Sequence, residues 1–135
     1  MDPLIRMISD VRRLRNEVSN PFSKEEVIEY FCKLAEEMGF KAVKNLRHNG
    51  TRVDCGWKDG NSIFLAVNVE YGSEREILGA VAEIMVVDPE IGVLVTASNP
   101  MKPMTSIIDA IKRITTVDFI IIDVRTGNSA TVRRR

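Results

Sequence analysis

Arg52-Val53-Asp54-Cys55-Gly56-Trp57-Lys58-Asp59-Gly60-Asn61-Ser62-Ile63-Phe64-Leu65-Ala66-Val67-Asn68-Val69-Glu70 reads as two β-strands joined by a turn. An acid stands at the start of the first strand, and a polar pair ends the second. Asn68 and Glu70 are two residues apart, so a continuing strand points both to one face. Polar groups closing an otherwise apolar strand are costly to bury unless something binds them, and a metal ion is one candidate. The turn decides whether Asp54 joins them. A two-residue Asp59-Gly60 loop would set Asp54 opposite Leu65, on the wrong side of the sheet. A three-residue Asp59-Gly60-Asn61 loop, with a left-handed residue and a bulge, sets Lys58 opposite Ser62. Asp54 then lies opposite Ala66, diagonal to Asn68 and on the face of Glu70. The longer loop is expected.

Upstream of this hairpin, Leu4, Ile5, Ile8, Val11, Leu14 and Val18 recur at helical spacing and predict one N-terminal helix within residues 1–20, stopped by Asn20-Pro21. Ser23, with Glu26 as its capping-box partner, opens a second helix. That helix buries Val27, Ile28, Phe31, Leu34, Ala35 and Met38 and ends at Gly39. Lys41 to Arg47 reads as a short strand before a break at Asn49-Gly50. Downstream, Ser73 and Glu76 form a second capping box for a helix whose inner face carries Ile77, Leu78, Val81, Ala82, Ile84 and Met85. Ile91 to Ala97 has the unbroken apolar pattern of a central parallel strand. Ile107, Ile108, Ile111 and Ile114 mark a fourth helix, Phe119 to Val124 a last buried strand, and residues 126–135 a frayed basic tail.

The expected fold class is α/β: a mixed sheet flanked by helices, in the order α-α-β-β-β-α-β-α-β. All 135 residues form one domain, large enough for a real core.

The 19 basic and 19 acidic side chains cancel, so no global field favours nucleic acid. Locally the balance is uneven. Between residues 41 and 58, Lys41, Lys44, Arg47, Arg52 and Lys58 face only Asp54, an excess of four cations. Between residues 70 and 90, Arg75 is outnumbered by Glu70, Glu74, Glu76, Glu83, Asp88 and Glu90. One basic surface on a neutral protein is one outcome; solvated charges that cancel in space are the other.

Cys32 and Cys55 make no CxxC pair and read as small core residues in a reducing compartment. With only His48 to add, a structural zinc site is not expected. Arg6, Asp10 and Arg12 interrupt the first apolar turn, which argues against a signal peptide. No apolar run approaches membrane-spanning length, and a cytoplasmic protein is expected. No GxxxxGK[ST] or GxGxxG loop occurs, so nucleotide hydrolysis and dinucleotide binding are not indicated.

Taken together, order and motif resemble the restriction-endonuclease-like superfamily, the PD-(D/E)XK nucleases, and within it the archaeal type of Holliday-junction resolvase. The likeness runs from Ser23 to Ala97. It rests on Leu34-Ala35-Glu36-Glu37-Met38-Gly39-Phe40-Lys41-Ala42-Val43 leading into Val53-Asp54, with Val67-Asn68-Val69-Glu70 one strand later. In that family a helix ending in Gly-Phe precedes the motif, and the aspartate stands where Asp54 stands. The acid of (D/E)XK falls at Asn68 and its lysine at Glu70.

The resemblance implies an Mg²⁺ or Mn²⁺ ion held by Asp54 and Glu70, with Asn68 as a third, weak ligand. Such an ion would polarise a phosphodiester and acidify an attacking water. It also implies a helical acid, for which Glu29 is the nearest candidate; a solvated helix face is the favoured alternative for Glu29, as a cap role is for Glu26. A homodimer and DNA, branched or linear, are the implied partners. Asn68 offers a neutral oxygen where the family has a carboxylate, and Glu70 replaces a cation with an anion, although some restriction enzymes of the superfamily carry E-x-E.

Lys44, Arg47, Arg52 and Lys58 are the candidate phosphate contacts. His48 reads as a solvated loop residue, Trp57 as core and Tyr71 as an edge-of-core tyrosine. Three functions remain open: a nucleic-acid-binding domain on a nuclease fold with impaired catalysis, which is favoured; a metal-dependent DNA endonuclease or junction resolvase; and a non-catalytic interaction or dimerisation module.

Overall fold

The computed structural model describes residues 2–134. In chain order they form α1 (Pro3–Ile8), α2 (Val11–Glu17), α3 (Lys24–Glu37), β1 (Lys41–His48), β2 (Thr51–Asp59), β3 (Ser62–Val69), α4 (Glu74–Val87), β4 (Ile91–Thr96), α5 (Met104–Ile114), β5 (Asp118–Asp123) and β6 (Asn128–Val132). Among the described residues no helix is long and apolar enough to cross a membrane.

The helix boundaries follow local chemistry. The single N-terminal helix expected from apolar spacing is instead two, because Ser9-Asp10 both ends and restarts it. Ser9 Oγ donates back to the Ile5 carbonyl at 2.8 Å, while the Asp10 carboxylate accepts the Arg13 N–H at 3.0 Å as a new N-cap. The apolar period survives the break, so Ile8, Val11 and Leu14 are all buried. Ser23 caps α3 as expected, accepting from the Glu26 N–H. The reciprocal half of the box is absent: the Glu26 carboxylate takes the N–H groups of Ser19 and Asn20 and ties the linker to the helix. The end of α3 is a Schellman motif, with Gly39 at φ 89°, Gly39 N–H on Glu36 and Phe40 N–H on Ala35. The box of Ser73 and Glu76 on α4 is complete in both directions.

The six strands form one sheet in the order β1-β2-β3-β4-β5-β6. β1, β2 and β3 are an antiparallel meander, β3-β4 and β4-β5 pair in parallel, and β6 returns antiparallel to β5. The segment expected to be a frayed tail is therefore mostly an edge strand. Val132, opposite Phe119, is its one buried residue and Ala130 is half-buried, too few apolar positions for a strand pattern to stand out.

Helices cover both faces. On one, α1, α2 and α3 pack Ile8, Leu14, Phe31 and Leu34 against Cys55, Trp57, Leu65, Val67 and Val95. On the other, α4 and α5 pack Ile77, Val81, Ile84, Ile107 and Ile111 against Leu46, Val53, Ala66, Leu94 and Phe119. Gly92 allows the second layer to lie this close, since a Cβ there would fall 2.7 Å from Ile84 Cγ2 and 2.9 Å from Phe119 Cε1. The result is an α/β domain whose mixed six-stranded sheet is flanked by helices.

Candidate nucleic-acid interface

The β2-β3 turn differs from the expected three-residue loop. Asp59 pairs with Ser62 across a two-residue Gly60-Asn61 loop, with Gly60 at φ 63°, and the register slips by one between Trp57 and Lys58. The bulge lies inside the strand rather than in the loop. Beyond it Gly56, not Asp54, is opposite Ala66, and Cys55 is opposite Val67. A hairpin without this bulge would move the rest of β2 by one residue and turn each side chain to the other face.

A second irregularity aims Asp54. Val43 and Leu46 are three apart in β1 yet both pack on the α4 side, while Ala42 packs on the α3 side. The alternation slips at Asn45, whose φ is 53°. Across from it β2 slips too: Val53 belongs to the α4 side, and Cys55 and Trp57 to the α3 side. Gly56 has no Cβ and so leaves room for the Leu46 side chain. Asp54 stands at the slip, and its side chain meets groups from the start of α3.

Here the β2-β3 ladder is continued by side chains. Asp54 donates its backbone N–H to Asn68 Oδ1 at 2.8 Å, and Asp54 Oδ2 accepts the Val69 N–H at 2.9 Å. Asn68 Nδ2 in turn donates to the Ala80 carbonyl on α4 at 2.9 Å and to Glu83 Oε1 at 3.2 Å. This network accounts for an amide where the nuclease motif has an acid. Position 68 must accept from one backbone and donate to another, and a carboxylate has no hydrogen to donate.

Asp54 is only 4% exposed, yet its second oxygen is not taken by backbone. Oδ1 faces Lys24 Nζ at 3.6 Å and Arg52 Nη1 at 3.4 Å. Arg52 also donates to Asn45 Oδ1, and Lys44 is paired with Glu29. Glu25, Ile28, Glu29, Lys44, Asn45 and Asp54 line one cleft of about 210 Å³ between α3 and the first hairpin. Arg47 is exposed and directly opposite Arg52, beside that cleft; Lys58 lies opposite Lys41 at the other end of the hairpin.

Asp54, Asn68, Glu29, Lys44 and Arg52 are thus brought together, the first two by hydrogen bonds and the others around the cleft. Glu70 has other partners. Its backbone N–H continues the sheet to the Val95 carbonyl, and its carboxylate accepts the Gly72 N–H at 3.0 Å. Among the described residues no hydrogen bond or ion pair joins Glu70 to Asp54. Glu25 and Asn45, which line the cleft, and Lys24, which reaches Asp54, are the residues here that sequence reading passed over. Lys24 looks like any first-turn helix residue, whereas an asparagine inside a strand, tolerant of positive φ, was a readable signal for Asn45. Trp57 is fully buried against Phe40, and Tyr71 donates its hydroxyl to the Pro21 carbonyl at 2.7 Å, so both have the structural roles expected of them.

The donor set does not fit a divalent ion as it stands. The Asn68 oxygen is committed to the Asp54 N–H, the free Asp54 oxygen faces two cations, and Glu29 is held by Lys44. Among the described residues no group of three or more histidine, cysteine, aspartate or glutamate side chains is arranged to hold a metal. The sequence matches no known protein-family model, and a search of curated proteins finds no match.

Proposed function

We propose that this chain is a nucleic-acid-binding domain on a nuclease-type scaffold whose catalytic site is impaired. The observation that carries this reading is a like-charge cross-strand pair next to the cleft: Arg47 directly opposite Arg52, with Arg52 against Asp54. Cross-strand like charges destabilise a sheet, each pair by a fraction of a kcal/mol. A surface that keeps this pair beside Lys44 and Lys24, the cations that meet Glu29 and Asp54, is one that a polyanion would relieve. The order helix, antiparallel meander, helix, parallel strand between Lys24 and Thr96 is the order the nuclease resemblance implies and supports the same reading. Impairment follows from the chemistry of the cleft. Lys24 and Arg52 neutralise the aspartate oxygen that would otherwise attract a cation, and Asn68 is used as a structural strut.

The test is retention of a DNA duplex and of a four-way junction, measured by fluorescence anisotropy from low to moderate salt. Binding at low salt is expected, with an affinity that falls as salt rises. Lys44→Ala and Arg47→Ala should each reduce the salt slope by about one. DNA should remain intact with Mg²⁺ or Mn²⁺. Cleavage lost in Asp54→Ala would favour the active nuclease instead, and absence of retention at the lowest salt would refute the binding function. Two copies per particle, as the resemblance implies, would be read by light scattering.

A further inference from the structure

The two cysteines, 23 residues apart in sequence, meet in the fold: Cys32 Sγ on α3 lies 3.3 Å from Cys55 Sγ on β2. Both are free thiols, Cys55 fully buried and Cys32 8% exposed at the edge of the same core. A disulfide needs sulfurs at about 2.05 Å, so closure asks for an approach of little more than an ångström, within reach of side-chain rotation and a small helix shift. The pair also joins two of the elements that border the candidate cleft, α3 and β2. Cys55 follows Asp54 in β2, and Cys32 is one helical turn beyond Glu29 on α3. We infer that Cys32 and Cys55 form a redox-sensitive staple, a dithiol that closes to an intramolecular disulfide and fastens α3 to the strand carrying Asp54. The staple is independent of what the cleft binds.

The oxidant is a small-molecule disulfide. The Cys32 thiolate, the more accessible of the two, attacks one of its sulfurs and expels a small thiolate, leaving a mixed disulfide on Cys32. Cys55 then loses its proton and attacks Cys32 Sγ, which expels the second small thiolate. Two electrons pass from the protein sulfurs to the small disulfide, and both protons finish on the two small thiols. Burial pushes both thiols above their ordinary pKa, so closure is slow at neutral pH and accelerates in mild alkali.

Full-length protein incubated with 2-hydroxyethyl disulfide, then unfolded and alkylated, should show no alkylated cysteine and an intact mass lower by two hydrogens. Its thermal midpoint should rise by roughly 5–10 °C relative to the reduced protein and return on adding dithiothreitol. Cys32→Ser and Cys55→Ser should each show neither the crosslink nor the shift. Two alkylated cysteines after prolonged treatment, two mixed adducts on one chain, or covalent dimers in place of the internal bond would overturn the proposal. None of these readouts involves nucleic acid, so this test and the binding test can fail separately.

Discussion

Asp54, inside β2, and Asp123, at the end of β5, are both buried carboxylates, and they are used in opposite ways. Asp123 is fully buried and gives both oxygens to its own surroundings. Oδ1 accepts the N–H groups of Ser98 and Arg125, and Oδ2 accepts the hydroxyls of Ser98 and Thr126. Arg125 folds back to donate to the Ser98 carbonyl, closing the knot that joins the ends of β4 and β5 to the turn before β6. Asp54 gives only Oδ2 to backbone and leaves Oδ1 to half-exposed cations beside a cleft. A buried acid with all its acceptors matched from within is a strut; one that keeps an oxygen for mobile cations is a candidate for recognition.

The sharpest test of that contrast is stability. Asp123→Ala strands four donors at once and should cost about 3 kcal/mol or more in urea denaturation. Burial pushes Asp123 upward, but the hydrogen bonds from Ser98, Thr126 and Arg125 outweigh it and hold the carboxyl below its ordinary 3.8. Its contribution is therefore complete above the unfolded-state value and is lost as pH falls through the lower folded-state value. Asp123→Asn should accordingly flatten the acid limb of the stability curve below about pH 4.

Next in size is Asn68→Ala, which leaves the Asp54 N–H and the Ala80 carbonyl unpaired and should cost about 2 kcal/mol. Asn68→Asp, which restores the acid of the nuclease motif, should cost at least as much, because an aspartate cannot donate to Ala80 and would face Glu83. A neutral Asn68→Asp in the same denaturation assay would break the claim that this position is structural. Asp54→Asn keeps an acceptor for Val69 and loses contacts only to half-exposed cations, so a cost under about 1 kcal/mol is expected. A loss equal to that of Asp123→Ala would erase the distinction between the two acids. Smallest of all, Arg47→Ala removes one partner of a like-charge pair and should leave thermal stability unchanged or raised by up to about 0.5 kcal/mol.

Much of the fold was legible. Caps at Ser23 and Ser73, the glycine stop at Gly39, the apolar spacing of α3, α4 and α5 and the unbroken apolar run of β4 all rest on contacts within a turn or a strand. The site was legible only as a set of residue types. Asp54 and Asn68 do meet, but the expected loop placed Asp54 across from Ala66, and nothing local signalled that β3 carries an extra residue, Phe64, opposite the step from Trp57 to Lys58. Glu29 read as a solvated helix acid or the implied helical acid and Lys44 as a phosphate contact; that the two pair emerged only with helix and strand side by side. Asp123 stood within an apolar strand and gave no sign of being a hub.

The chain alone determined most of the helices and strands and much of the faces they bury, because hydrophobic period and capping depend on neighbours within about four residues; the break at Ser9-Asp10 and strand β6 were not read from it. Only the folded arrangement decided where side chains at the slip in β1 and β2 point. A one-residue slip at Asn45 and Asp54 costs little locally, and packing against α3 and α4 selects it. The same long-range packing turned Asn68 toward Ala80, left one oxygen of Asp54 for Lys24 and Arg52, and brought two distant cysteines within 3.3 Å.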